Sequence, residues 1–378
     1  MASKTAAYGS LGDGAHDPRS ERPLVIDTDI HEIAPLTSLL PFLEPKWRHY
    51  ITQYRWSPDK PNPFAVPAGA GRDRLDAIPA GGGPGGSDID LLRKHVFDDA
   101  GIDCGILAGR LNATGWDPSW PEFKTALMSA YNDWQIQCWL DQENRLLGSI
   151  HVNANDPANA AKEIDRLGQH PRMMQVMMYV RDKPLGDRYY HPIYEAAERQ
   201  GLPVAFHPSG ASATAFGYHS YYTEWKILVG PESFMSTLVS LIFNGVFERY
   251  PALRVLLVEG GFTWLPSLMN RADQNFRELR LEVPWVKRLP SETIREHARF
   301  TTQPMDEISA AELMSYIELM GSDELLCYSS DYPHYDFDSP TQALPSGLPD
   351  DLRRKILSGN ARKFYGTRLE THLSSLAR

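Results

Sequence analysis

Eight short apolar runs, most of them separated by longer stretches of helical periodicity, predict an α/β chain folded as a (β/α)8 TIM barrel. An open doubly wound sheet would show the same alternation, but no Gly-rich nucleotide fingerprint follows the first run, which favours the barrel. A Pro- and Gly-rich insertion, residues 56–88, separates the first and second strands.

The first run is LVIDTDI (24–30), followed by GIDCGILAG (101–109), RLLGSIHV (145–152) and MMQVMMYV (173–180). Then come LPVAFH (202–207), LRVLLVE (253–259), the weaker ARFTTQ (298–303) and ELLCYSS (324–330). Each is rich in β-branched or large apolar residues, as a strand covered on both faces requires. DPANAAKEIDRLGQH, HPIYEAAERQG and ESFMSTLVSLIFNGVFERYP between them read as helices. The insertion falls at the end of the barrel that carries active sites and reads either as a lid or as a flexible excursion. SGASATAFGYHSYYTEWKILVGP, after the fifth strand, mixes small and aromatic residues and reads as a pocket floor or as core packing.

The chain has 378 residues, of which 42% are apolar and 23% charged, so it belongs with globular chains and not with disordered ones. Its net charge of −10 disfavours nucleic acid or an anionic membrane as partner. Cys104, Cys138 and Cys327 are too few and too scattered for a disulfide framework or a metal knuckle, so a reducing, cytoplasmic setting is expected. The first residues lack the apolar segment of a signal peptide, and no stretch reads as a membrane span. Residues 1–22 are expected to be a disordered tail, 23–367 the barrel and 368–378 a C-terminal tail.

Polar residues gather where the strands end. Asp27, Asp29 and His31 alternate along the first strand, so they project to one face, with Asp27 a layer deeper. His207 closes the fifth strand, Glu259 the sixth, and the eighth runs into Asp331. Imidazoles and carboxylates converging at one barrel mouth are metal ligands by type, because a cation offsets the desolvation of buried carboxylates. Arg110 and Arg181, after the second and fourth strands, are candidates for binding a substrate carboxylate bidentately. His151 and His334 are candidates for acid–base or substrate contacts.

D-x-H on strand one, AFHPSG at strand five, an acidic strand end before GGFTWLP, SSDYPH after strand eight and a closing KILSGNARKFYG together resemble the amidohydrolase superfamily. More narrowly they resemble its branch containing aminocarboxymuconate semialdehyde decarboxylase and the aromatic acid decarboxylases. That resemblance implies that Asp29, His31, His207 and Asp331 hold a divalent metal, with Asp331 as a general base and Glu259 a further ligand or catalytic group. It implies hydrolysis or decarboxylation of a small, carboxylate-bearing molecule. The chain carries Asp29 and Glu259 where many members carry His, which moves the expected metal from zinc toward manganese or iron. An iron or manganese hydroxylase on the same fold is therefore an alternative, and a metal-binding but catalytically silent subunit of a hetero-oligomer a second. One metal is preferred over two. A second would draw on Glu259, Glu32, His151 or His334, since the fourth strand supplies no bridging Lys or Glu. Fold analogy implies a homodimer or an oligomer with a related chain.

Overall fold

Eight strands form one sheet in sequential order, each parallel to the next: β1 (Ile26–Ile30), β2 (Cys104–Leu107), β3 (Leu146–His151), β4 (Met173–Tyr179), β5 (Val204–His207), β6 (Val255–Leu257), β7 (Ala298–Thr301) and β8 (Leu326–Cys327). This computed structural model describes residues 22–56, 72–110, 120–179, 183–208 and 220–376. The first and last strands meet as well. Thr28 N–H donates to Tyr328 O at 3.0 Å, His31 N–H to Tyr332 O at 2.7 Å and Asp331 N–H to Asp29 O at 3.1 Å, closing the barrel. The weak seventh run pairs in register with both neighbours.

Strand residues pack alternately inward and outward, which splits the core in two. Ile26, Cys104, Ile106, Leu147, Leu256 and Cys327 pack together inside the barrel, while Leu107, Leu146, Ile150, Val204 and Phe300 pack toward the helices. The lower end of the barrel is stoppered by Ala361, Phe364 and Tyr365, the last donating its hydroxyl to Gln175 Oε1 at 2.7 Å. The segment expected as a C-terminal tail is helical over Thr367–Leu376 and buries Leu369.

The outer helices start and stop where local chemistry says they should. Asp156 accepts from Asn159 N–H, and Pro157 opens helix Pro157–Leu167. Ser309 and Glu312 satisfy each other's backbone N–H at the start of Ala310–Met320, which Gly321 ends in a left-handed turn at φ 68°.

The aromatic segment after β5 is helical from Tyr222: helix Tyr222–Phe243 runs through Pro231 and starts earlier than the stretch read as a helix. Residues 209–219 lie outside the described residues. A close approach explains the small residue before the proline: a side chain at Gly230 would come within 2.8 Å of Gly260 Cα. This helix is also long and apolar enough to cross a membrane by length and composition alone, contrary to the sequence reading. One set of its apolar residues, Trp225, Val229, Phe234, Leu238 and Leu241, is buried, while Ile227, Leu228 and Val239 are exposed.

Only part of the insertion falls among the described residues, since 57–71 lie outside them. Its later part lies along the loop after β8. Arg74 N–H donates to Pro333 O at 2.8 Å, Tyr335 N–H donates to Arg72 O at 2.7 Å, and Asp73 bridges to His334. Gly86, at φ 81°, passes so close to β1 that a Cβ there would lie 2.3 Å from His31 O.

Candidate metal centre

A register irregularity between Asp27 and Ile30 shapes the first corner of the site. Asp27 Oδ1 accepts from Asp29 N–H and from Ser330 N–H, each at 3.0 Å, so this buried carboxylate fastens β1 to the turn that carries Asp331. Burial pushes Asp27 up to about 7.

Asp29 and His31 then face the barrel mouth, both fully buried, and meet residues from far down the chain. His31 Nε2 lies 3.4 Å from Asp29 Oδ1 and 3.0 Å from Asp331 Oδ1, and its ring sits edge-on to His207 at 5.1 Å. His207 Nε2 lies 3.1 Å from Glu259 Oε2. Asp331 Oδ1 also accepts from His334 Nδ1 at 2.6 Å. The four strand ends picked out by sequence thus converge.

The protonation of the two histidines decides what this arrangement is for. His31 Nδ1 faces Gly109 O at 2.9 Å, and His207 Nδ1 faces Pro208 O at 2.6 Å. A carbonyl only accepts, so each Nδ1 carries a proton and each Nε2 is the atom turned toward the carboxylates. In the neutral ring that Nε2 is a lone pair set against carboxylate oxygens, a contact that a divalent cation between them satisfies. A second proton on Nε2 serves the same end, and although burial acts to lower His31, Asp331 outweighs it and raises it. Asp29 Oδ1 and Oδ2, His31 Nε2, His207 Nε2 and Asp331 Oδ2 are all buried with no hydrogen-bonding partner among the described residues. Asp29, His31 and His207 form one group of ligand atoms, and His31, Glu259, Asp331 and His334 an overlapping one. The donor set fits a divalent ion, with Nδ1–H to carbonyl bonds orienting both imidazoles as metal ligands require.

The carboxylates differ among themselves. Burial, reinforced by Asp331 and Glu259, raises Asp29 well above the carboxylate range. Burial also acts to raise Glu259 and Asp331, but is outweighed, by Lys226 and His207 at Glu259 and by His334 and His31 at Asp331, so both are held low. These last two residues have left-handed backbone, φ 61° and 59°, which turns their carboxylates inward from the strand ends.

The amidohydrolase family profile matches residues 26–367, nearly the whole described barrel. The chain belongs to the amidohydrolase family. A gamma-resorcylate decarboxylase of Polaromonas sp. is 24% identical over 74% of this chain and 87% of its own length. The solved structure of 5-carboxyvanillate decarboxylase from Sphingomonas paucimobilis superposes with a TM-score of 0.66 at 23% identity, covering 91% of this chain and 99% of that one. A dihydroxybenzoic acid decarboxylase from Polaromonas sp., solved with bound manganese and 2-nitroresorcinol, gives 0.63 at 18% identity, over 91% and 97%.

Within this amidohydrolase the remaining candidates take distinct places. Arg110 is buried, donates to Asp73 Oδ1 at 2.7 Å, and ties the insertion to β2 beside the site. Arg181 lies outside the described residues. His151 is fully buried, edge-on to Tyr131 at 4.8 Å, and burial pushes its imidazole down to about 3. Glu32 accepts from Gly109 N–H, Tyr131 Oη and Gln135 Nε2, bracing the turn that holds His31.

Lys226 and Asp336 are additions that the sequence did not suggest. Lys226 Nζ lies 2.6 Å from Glu259 Oε1 and 3.2 Å from Asp336 Oδ2. The signal was a single Lys inside the apolar run EWKILVG, hidden because its acidic partners lie far along the chain. Beside it opens a cavity of about 410 Å3 whose walls include Trp225, Lys226, Glu259, Trp264, Tyr335 and Asp336, a volume that suits a small planar molecule.

Proposed function

We propose that this amidohydrolase is a divalent-metal-dependent decarboxylase of a small, carboxylate-bearing aromatic molecule. The observation that carries the reading is the set of buried, unpartnered donor atoms on Asp29, His31, His207 and Asp331, with both imidazoles fixed by carbonyls. The activities of the decarboxylases it is similar to support it, and the manganese in one of them favours that ion. A bound divalent ion would supply the charge that anchors a substrate carboxylate or phenolate and draws electrons from the ring.

The chain's own residues do the rest. Trp225, Trp264 and Tyr335 offer aromatic surfaces for a planar ring in the cavity. Asp331 rests ionised, with Oδ1 engaged by His334 and Oδ2 unpartnered, and relays to the ring the proton that His334 Nδ1 supplies. The proton goes to the ring carbon bearing the carboxylate. The carbon–carbon bond then breaks, its electron pair returns to the ring, and carbon dioxide leaves.

The test is carbon dioxide release from hydroxylated benzoates by protein loaded with manganese, zinc or iron. Metal-dependent release is expected. Oxygen consumed in step with substrate, with no carbon dioxide released, would overturn it in favour of an iron hydroxylase. The second group of ligand atoms, His31, Glu259, Asp331 and His334, is what favours that second reading. A cytoplasmic location is part of the proposal, supported by three unbonded cysteines. So is pairing with a second copy or a related chain, which light scattering checks.

A further inference from the structure

The second group of ligand atoms has the makings of a second cation site, yet one of its members is already taken. Glu259 Oε1 is held by Lys226 Nζ at 2.6 Å, leaving Oε2 facing His207 Nε2 at 3.1 Å. Lys226 reaches this point from helix Tyr222–Phe243, with 17% of its side chain exposed, and spans from Glu259 to Asp336.

We propose that Lys226 stands in for a second metal ion, satisfying Glu259 with an ammonium and limiting the centre to one divalent ion per chain. This rests on the metal-dependent reading above. The argument is one of charge. Asp29, Glu259 and Asp331 bring three carboxylates into a buried site. One divalent ion and one ammonium offset them, the ammonium being shared with Asp336 at 3.2 Å. A second divalent ion ligated by Glu259 would sit against the ammonium already held 2.6 Å from its Oε1, cation against cation in a buried site, which is costly. An ammonium is also a compact point charge with three donors, suited to bridge Glu259 and Asp336 where no metal-like coordination shell is needed. Lys226 is thus a positioning residue that acts through Glu259.

The experiment is equilibrium dialysis of the full chain against manganese, with bound metal counted per chain. Wild type is expected to saturate at one ion. Lys226→Met and Lys226→Gln are expected to take up a second, and Lys226→Arg, which keeps the charge, to stay at one. Lys226→Gln keeps a donor for Glu259 and covers the case in which the Met variant does not fold. Wild type saturating at two ions, or neutral variants saturating at one, overturns the role of Lys226 while leaving metal dependence standing. Wild type binding no metal removes the metal-dependent reading itself, and this proposal with it.

Discussion

His334 Nδ1 donates to Asp331 Oδ1 at 2.6 Å, while His31 Nε2 stands 3.0 Å from the same oxygen. One carboxylate oxygen is thus shared between a metal-facing imidazole and a second that connects toward the insertion. If His334 resupplies the proton that Asp331 delivers, His334→Phe should lower kcat by about 10²-fold with bound metal unchanged. Steady-state rates of carbon dioxide release measure this, and an unaltered kcat would take His334 out of the proton path.

His207 Nε2 is buried with no hydrogen-bonding partner among the described residues. His207→Ala should weaken manganese affinity by at least about 10²-fold and abolish turnover, while circular dichroism shows an intact fold. Full turnover in this variant would mean that another chain does the chemistry, the silent-subunit alternative. In wild type, manganese at about 100 times its Kd should stabilise the fold by about 2.7 kcal/mol, an increment that chelation removes.

Gly86 sits at φ 81° with His31 O only 2.3 Å from where a Cβ would be. Backbone meets backbone here, so there is no flexible neighbour to give way. Gly86→Ala should cost about 2 kcal/mol or more in a urea titration and also weaken metal binding, since the atom displaced belongs to His31, a proposed ligand. Loss of stability with metal affinity intact would show that the insertion and the site are mechanically separate.

Glu143 precedes β3 and lies between Arg145 Nε at 2.9 Å and Arg93 Nε at 3.1 Å. Burial acts to raise its carboxyl, but the two guanidiniums outweigh this and hold it at about 2, against an ordinary 4.5. Because the folded state holds the carboxylate ionised more firmly than the unfolded chain does, its contribution is complete above pH 4.5 and fades as the pH falls toward 2. Glu143→Gln should therefore destabilise the protein at pH 7 by about 1 kcal/mol, less than the shift alone implies because both arginines are partly exposed. Wild-type and variant urea midpoints should converge below pH 4.5. A constant gap through that range would contradict the ion-pair account.

The barrel and its mouth were legible for a simple reason. Parallel strands buried on both faces must be continuous apolar runs, so a carboxylate or imidazole at the end of one, as at Asp29, His31, His207, Glu259 and Asp331, stands out against its own strand. Even ARFTTQ, too polar to be a clear strand alone, pairs because β6 and β8 offer it open edges. What stayed hidden depended on contacts between distant segments. Lys226 gains its meaning from Glu259, 33 residues on, and from a helix that Pro231 disguised. Strict alternation puts Asp27 one layer deeper on the ligand face. The irregularity in β1 turns it to the seam with β8, where it caps two backbone amides.

Glu259 and Asp331 are held in a backbone conformation that costs a side-chain-bearing residue about 1 kcal/mol and glycine almost nothing. Glycine at either position would relax the turn but strand Lys226 or His334 without the carboxylate that pairs with it. A library of this protein sorted for heat resistance, with no assay of turnover, should accordingly keep both strained residues, because the charges that make the site are also what hold its corners shut.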